Sequence, residues 1–146
     1  MNTYLGKYLL LLSGCTGLCL LAACATTRTD SLRASASRLD DASRQFSSQL
    51  QYQGDDSRRG RVSRDAGDLA QAARKFDHAL ADGDSHEHVV ADYRRVTDDY
   101  EQLHGQLANE GYAEQNRQVL ADFDRVTAAY RDVEAGMNRV RDSARY

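Results

Sequence analysis

Apolar side chains recur in two rows, four residues apart and repeating every seven, from residue 32 to residue 140. That spacing marks amphipathic helices packed in a bundle. The first stretch carries Leu32, Leu39 and Phe46 on one row and Ala36, Ser43 and Leu50 on the other; the second has Val62, Leu69 and Phe76 beside Ala66, Ala73 and Leu80. The third has Val89, Val96 and Leu103 beside Tyr93, Tyr100 and Leu107. The fourth has Val119, Val126, Val133 and Val140 beside Phe123, Tyr130 and Met137. Nothing alternates with period two over a strand length, so the fold class is all-α.

Breakers separate the stretches: Gly54-Asp55-Asp56 through Gly60, then Asp82-Gly83-Asp84-Ser85, then Asn109-Glu110-Gly111. Helices are expected at approximately residues 30–53, 60–82, 85–109 and 114–143. Asp84 or Ser85 can cap the third, with Glu87 three residues after Asp84 in a capping-box relation, and Thr29 or Asp30 can cap the first. Short connections between helices of similar length predict an antiparallel up-down-up-down four-helix bundle with helices about 30 Å long. Loops that straightened into the helices would instead give an extended coiled-coil dimer.

The stretches also repeat at an offset of 30 residues. Val89, Ala91, Asp92, Arg95, Val96, Thr97 and Tyr100 recur as Val119, Ala121, Asp122, Arg125, Val126, Thr127 and Tyr130. Ala36, Leu39, Ala42, Arg44, Phe46 and Leu50 recur as Ala66, Leu69, Ala72, Arg74, Phe76 and Leu80. A duplicated helical repeat is expected, and its period matches no solenoid. The first two helices place small residues at Ala36, Ser43, Ala66 and Ala73 where the last two place Tyr93, Tyr100, Phe123 and Tyr130. Rings can fill the space that small residues leave, so the four aromatics are expected in the core rather than on a ligand-binding patch.

The segment before the rows reads as an address. Residues 1–23 hold a single charge, Lys7, then Leu9-Leu10-Leu11-Leu12, small residues and the run Leu18 to Ala23. Ser13, Gly14, Thr16 and Gly17 interrupt it too often for a comfortable membrane span, which takes about 20 mainly apolar residues. The segment ends Leu21-Ala22-Ala23-Cys24, which resembles the lipobox of bacterial lipoproteins. That resemblance covers the first 24 residues only. It implies removal of residues 1–23, a diacylglycerol on the Cys24 sulfur and an acyl group, palmitate or a similar chain, on its amino terminus. Two or three chains at about 0.8 kcal/mol per buried CH₂ hold a protein on a membrane essentially permanently. By resemblance to the sorting of such lipoproteins, Ala25 rather than Asp after the lipidated Cys implies the outer membrane, with the domain most simply facing the periplasm.

Cleavage would remove Cys15 and Cys19, and lipid would occupy Cys24, which leaves no thiol pair for a disulfide, a CxxC metal or redox site, or haem attachment. The 146 residues carry 19 basic and 22 acidic side chains. Removing residues 1–23, with Lys7 as their only charge, leaves 123 residues with 18 basic and 22 acidic, a net of −4. Such a balance lacks the broad positive field that nucleic-acid binding needs. The mature chain divides into residues 24–29, lipidated Cys and tether, and residues 30–146, the bundle. The tether Ala25-Thr26-Thr27-Arg28-Thr29 reaches less than about 20 Å fully extended, so the bundle is expected close to its membrane. Lys75 is the only lysine left and the chain ends Ser143-Ala144-Arg145-Tyr146, which disfavours a covalent wall tether of the terminal-lysine kind.

Candidate chemistry is sparse. The one local cluster suited to a metal is Asp82-Gly83-Asp84-Ser85-His86-Glu87-His88, with Asp84, His86 and His88 as candidate ligands for Zn²⁺, Cu²⁺ or Ni²⁺. His86 and His88 stand about 200° apart around a helix and converge only if its first turn frays. His78 and His104 offer no obvious third ligand, and Met137 is the only Met of the mature chain, so no haem or other cofactor is expected. Carboxylate pairs such as Asp40-Asp41 and Asp98-Asp99 fall on polar faces, where arginines three or four residues away can pair with them. No nucleophile and base are placed together, so no enzyme is expected. Arg58-Arg59-Gly60-Arg61 with Arg64 is the one basic cluster, suited to anionic lipid or an acidic protein face but balanced locally by Asp55 and Asp56. The chain thus reads as a non-enzymatic, membrane-anchored interaction or structural module of the bacterial envelope, with an envelope protein or a second copy as partner. The alternative is a periplasmic metal- or small-ligand-binding bundle using the turn at 82–88.

Overall fold

The computed structural model describes the backbone of residues 16–51, 57–109 and 117–143, and the side chains of residues 29–51, 60–108 and 118–142. Four helices run α1 Thr16–Gln51, α2 Ser57–Asp82, α3 His86–Asn109 and α4 Arg117–Ser143. They form an up-down four-helix bundle in which α1 packs on both α2 and α4, and α2 packs on α3. Residues 1–15, 52–56, 110–116 and 144–146 lie outside the described residues, and with them Gly54-Asp55-Asp56, Glu110, Gly111 and the expected first turn of the fourth helix.

The heptad rows become the core. Leu32, Ala36, Leu39, Phe46, Leu50, Val62, Ala66, Leu69, Ala73 and Phe76 are buried, as are Val89, Val96, Leu103, Leu107, Val119, Val126 and Val133. Phe123 and Tyr130 are buried with them, whereas Tyr93 and Tyr100 are only half-buried and flank the core rather than fill it. The small residues of α1 and α2 let those two helices close on each other. The rings do the opposite: among the described residues no Cα of α3 lies within 8 Å of one of α4, although every other neighbouring pair comes that close. Side chains alone close that side of the bundle.

The first helix departs from expectation. It begins at Thr16, not near residue 30, so Thr29 and Asp30 lie inside it instead of capping it. Residues 24–29 are helical and span about 8 Å from Cys24 to Thr29 at a rise of about 1.5 Å per residue, well short of the extended reach. The chain contains no Pro, and nothing between Cys24 and Asp30 breaks a helix, so α1 propagates back through the expected tether. The turn between α2 and α3 follows its residues closely. Gly83 takes φ 72°, the left-handed conformation that glycine adopts without steric cost, and the Asp84 N–H donates to the Ala79 carbonyl at 3.0 Å, which stops α2. Ser85 then caps α3 by accepting from the His88 N–H at 3.3 Å.

The offset of 30 residues becomes an internal two-fold. Phe46 on α1 meets Phe123 on α4 at 5.5 Å between ring centroids and 50° between planes; their repeat mates Phe76 and Tyr93 meet at 6.0 Å and 47°. Across α3 and α4 the Tyr100 hydroxyl donates to Thr127 Oγ1 at 3.2 Å, while its mate Tyr130 donates to Thr97 Oγ1 at 3.4 Å. Each tyrosine of the Arg-Val-Thr-x-x-Tyr repeat therefore bonds the threonine of the other copy. The symmetry breaks at the buried polar positions. Where one repeat buries Asp40, Asp65 or Asp99, the other buries Ala70, Ser35 or Ala129.

Candidate functional site

Three places in the bundle gather chemistry: the turn between α2 and α3, the seam between α3 and α4, and the end of the bundle from which α1 leads back to Cys24.

The turn at 82–88 does not bring its candidate ligands together. Asp84, His86 and His88 are all exposed. His86 lines an apolar cleft at the end of the bundle, beside Leu80, Val89, Met137 and Val140. His88 lines a polar cleft of ≈ 570 Å³ on the outer face of α2 and α3, together with Lys75, His78, Asp82 and Asp92. Asp84 sits on the ridge between the two clefts and touches both. Because Ser85 caps α3, its first turn does not fray, and the angular separation of the two imidazoles puts them on different faces. Among the described residues no group of three or more His, Cys, Asp or Glu side chains is arranged to hold a metal ion. His78 on the facing helix lines the same cleft as His88, whereas His86 lines the other. Sequence reading could have found it, since the two lie five residues to either side of Gly83 in a helical hairpin.

The polar cleft continues along α2 and α3, lined by Asp68, Gln71, Lys75, Asp92, Arg95 and Asp99. Burial holds the Asp99 carboxyl above its usual range, even though Arg95 Nε donates to Asp99 Oδ2 at 3.1 Å. Asp40 is raised in the same way, by burial first and then by the like charges of Asp41 and Asp77, against the opposing pull of Arg44. Arg44 Nε lies 3.2 Å from Asp40 Oδ1, close enough for charge but not aligned as a hydrogen bond.

The seam between α3 and α4 is a stack of rings. Tyr100 lies flat on Tyr130 at 4.0 Å between centroids and on Phe123 at 5.8 Å, and the exposed His104 stacks on Tyr100 at 5.9 Å and on Phe123 at 6.0 Å. Burial pushes the Tyr130 hydroxyl up to about 12, so it stays protonated and can donate to Thr97. These rings act as spacers, and the hydroxyl at the tip of each donates to the threonine of the other repeat.

Cys24 belongs to the N-terminal part of α1, five residues before the first described side chain, Thr29. In an up-down bundle that end also holds the turn between α2 and α3 and the last turns of α4. The basic cluster at Arg58-Arg59-Gly60-Arg61 opens α2 and stands at the opposite end. About 27 residues of helix separate Cys24 from the end of α1, or roughly 40 Å. No helix among the described residues is long and apolar enough to cross a membrane. Comparison with protein families, curated proteins and solved structures finds no match to this chain.

Proposed function

We propose that this chain is a lipid-anchored protein of the bacterial envelope whose four-helix bundle serves as a non-enzymatic interaction or structural module. The observation that carries the reading is Leu21-Ala22-Ala23-Cys24, which closes an apolar run on the helix that leads into the bundle. A diacylated or triacylated Cys24 fixes the module to a membrane, and Ala25 in place of Asp favours the outer one. The short helical span from Cys24 to Thr29 gives the bundle a fixed end and keeps it beside the lipid surface, free to meet an envelope protein or a second copy with its other faces.

Mass spectrometry of the protein purified from membranes tests the anchor: the expected form starts at Cys24 and carries diacylglycerol and an acyl chain. An unmodified Cys24 with residues 1–23 still attached overturns it. Crosslinking in cells, with Cys24→Ser as the mislocalised control, tests the module. A partner that crosslinks only to the lipidated form is the expected result.

A further inference from the structure

The internal two-fold makes the described positions at the two ends of the bundle comparable. Leu80, at the end of α2, is half-buried, whereas its repeat mate Leu50, at the end of α1, is buried at 5 % exposure. Val140 extends the fourth apolar row one heptad further and is half-buried; the residue thirty positions earlier is Glu110. The end that α1 leaves toward Cys24 therefore carries apolar side chains that the bundle itself only partly covers. They open onto the cleft beside Met137 and Val89, of ≈ 230 Å³, with Thr29, Asp84 and His86 at its rim.

We propose that this end is a membrane seat: lipid hydrocarbon of the anchoring bilayer enters the cleft between Leu80, Met137 and Val140, and the bundle stands end-on against the membrane. The inference rests on the lipid anchor proposed above. Cys24 lies only about 8 Å along the helix from Thr29, which is about the depth of one headgroup layer. An anchored bundle cannot then hold its apolar end far from the lipid. Contact with the acyl boundary is the ordinary mode for apolar surface at that depth, with penetration of about 5–10 Å.

The chain has no Trp, so single tryptophans report position without background. Val140→Trp and, separately, Leu80→Trp place the probe at the seat; Ala108→Trp, exposed on the last turn of α3, places it at the far end. Each lipidated protein, purified from membranes and confirmed helical by circular dichroism, is reconstituted in phosphatidylcholine vesicles with or without acyl-brominated lipid. The expected result is at least about a twofold loss of emission at positions 140 and 80 and none at 108, since bromine quenches only probes at the acyl boundary. Equal emission with and without brominated lipid at both seat positions overturns the proposal. Mass spectrometry of the same samples separates the two failures: lipid present without quenching refutes the seat alone, and lipid absent refutes the anchor and the seat together.

Discussion

Tyr130→Ala should destabilise the bundle by about 3–5 kcal/mol, the range for deleting a large buried aromatic. Three features of its surroundings put it there. Tyr130 is only 7 % exposed, its ring stacks on Tyr100 at 4.0 Å, and no backbone contact between α3 and α4 stands ready to close over the space it leaves. Tyr100→Ala removes the other half of the stack from a half-buried site and should cost less, about 2–3 kcal/mol. Tyr130→Phe keeps the ring and loses only the hydroxyl bond to Thr97, whose Oγ1 still donates to the Tyr93 carbonyl at 3.1 Å, so its cost should fall near 1 kcal/mol. The double variant should show a coupling of about 0.5–1.5 kcal/mol, because each single substitution already breaks the shared stack. Urea unfolding followed by far-ultraviolet circular dichroism measures all four, with a constant slope as the check that only the folded state changed. A cost below about 1 kcal/mol for Tyr130→Ala, or equal costs for Tyr130→Ala and Tyr100→Ala, refutes the view that the rings hold the seam open and filled.

Glycine positions separate helix propensity from packing in the same unfolding assay. Gly105 has open space where a Cβ would stand, so Gly105→Ala should stabilise by up to about 1 kcal/mol. At Gly136 the new Cβ would lie 2.7 Å from Leu32 Cδ1 inside the core, so Gly136→Ala should lose that gain and destabilise unless Leu32 repacks. Gly83→Ala has room but must take the left-handed conformation, and should cost about 1 kcal/mol. For pH, Asp99 in the folded chain binds its proton above the ordinary value of 3.8, so the native state holds more protons and stability falls as pH rises through that window. Asp99→Asn should flatten this acid-range slope and leave neutral-pH stability no lower; an unchanged slope across urea midpoints from acid to neutral pH would sink the assignment.

The heptad rows made the fold legible because burial in a bundle depends on little more than which side chains face inward. Every apolar residue of the rows from Leu32 to Val133 that α1, α2 and the first rows of α3 and α4 contribute is buried or packed on the core. Cooperative propagation was harder to read. A helix end is set by what stops it, and residues 24–30 contain nothing that does, so α1 runs back to Thr16. The rows place Tyr93 and Tyr100 in the core with Phe123 and Tyr130 because row position gives direction but not depth. The wide separation of α3 and α4, which leaves the α3 rings at the edge, is a property of all four helices together. The acidic His turn is legible as geometry: the angular objection to His86 with His88 holds once Ser85 fixes the first turn, while the placing of His78 and His88 on one cleft follows from the hairpin's reflection about Gly83.

Because the repeat relates the two ends, each residue at one end can be compared with its mate at the other. The basic cluster is one difference. Arg58, Arg59, Arg61 and Arg64 have as mates Arg28, Thr29, Ser31 and Ala34, so three of the four positive charges exist only at the end remote from Cys24. That end stands roughly 40 Å along the helix from the proposed anchor, about five Debye lengths at physiological ionic strength. The surface charge of the anchoring membrane is screened to nothing at such a distance, which removes anionic lipid of that membrane as a target for the cluster. On the proposed end-on orientation, the surface the cluster can meet is one presented from the opposite side, and an acidic face fits its charge. Reversing Arg61 and Arg64 to Glu should then abolish lipidation-dependent crosslinks to a partner while leaving membrane association intact. Loss of membrane association with retained crosslinks would place the cluster at the membrane and contradict the end-on orientation.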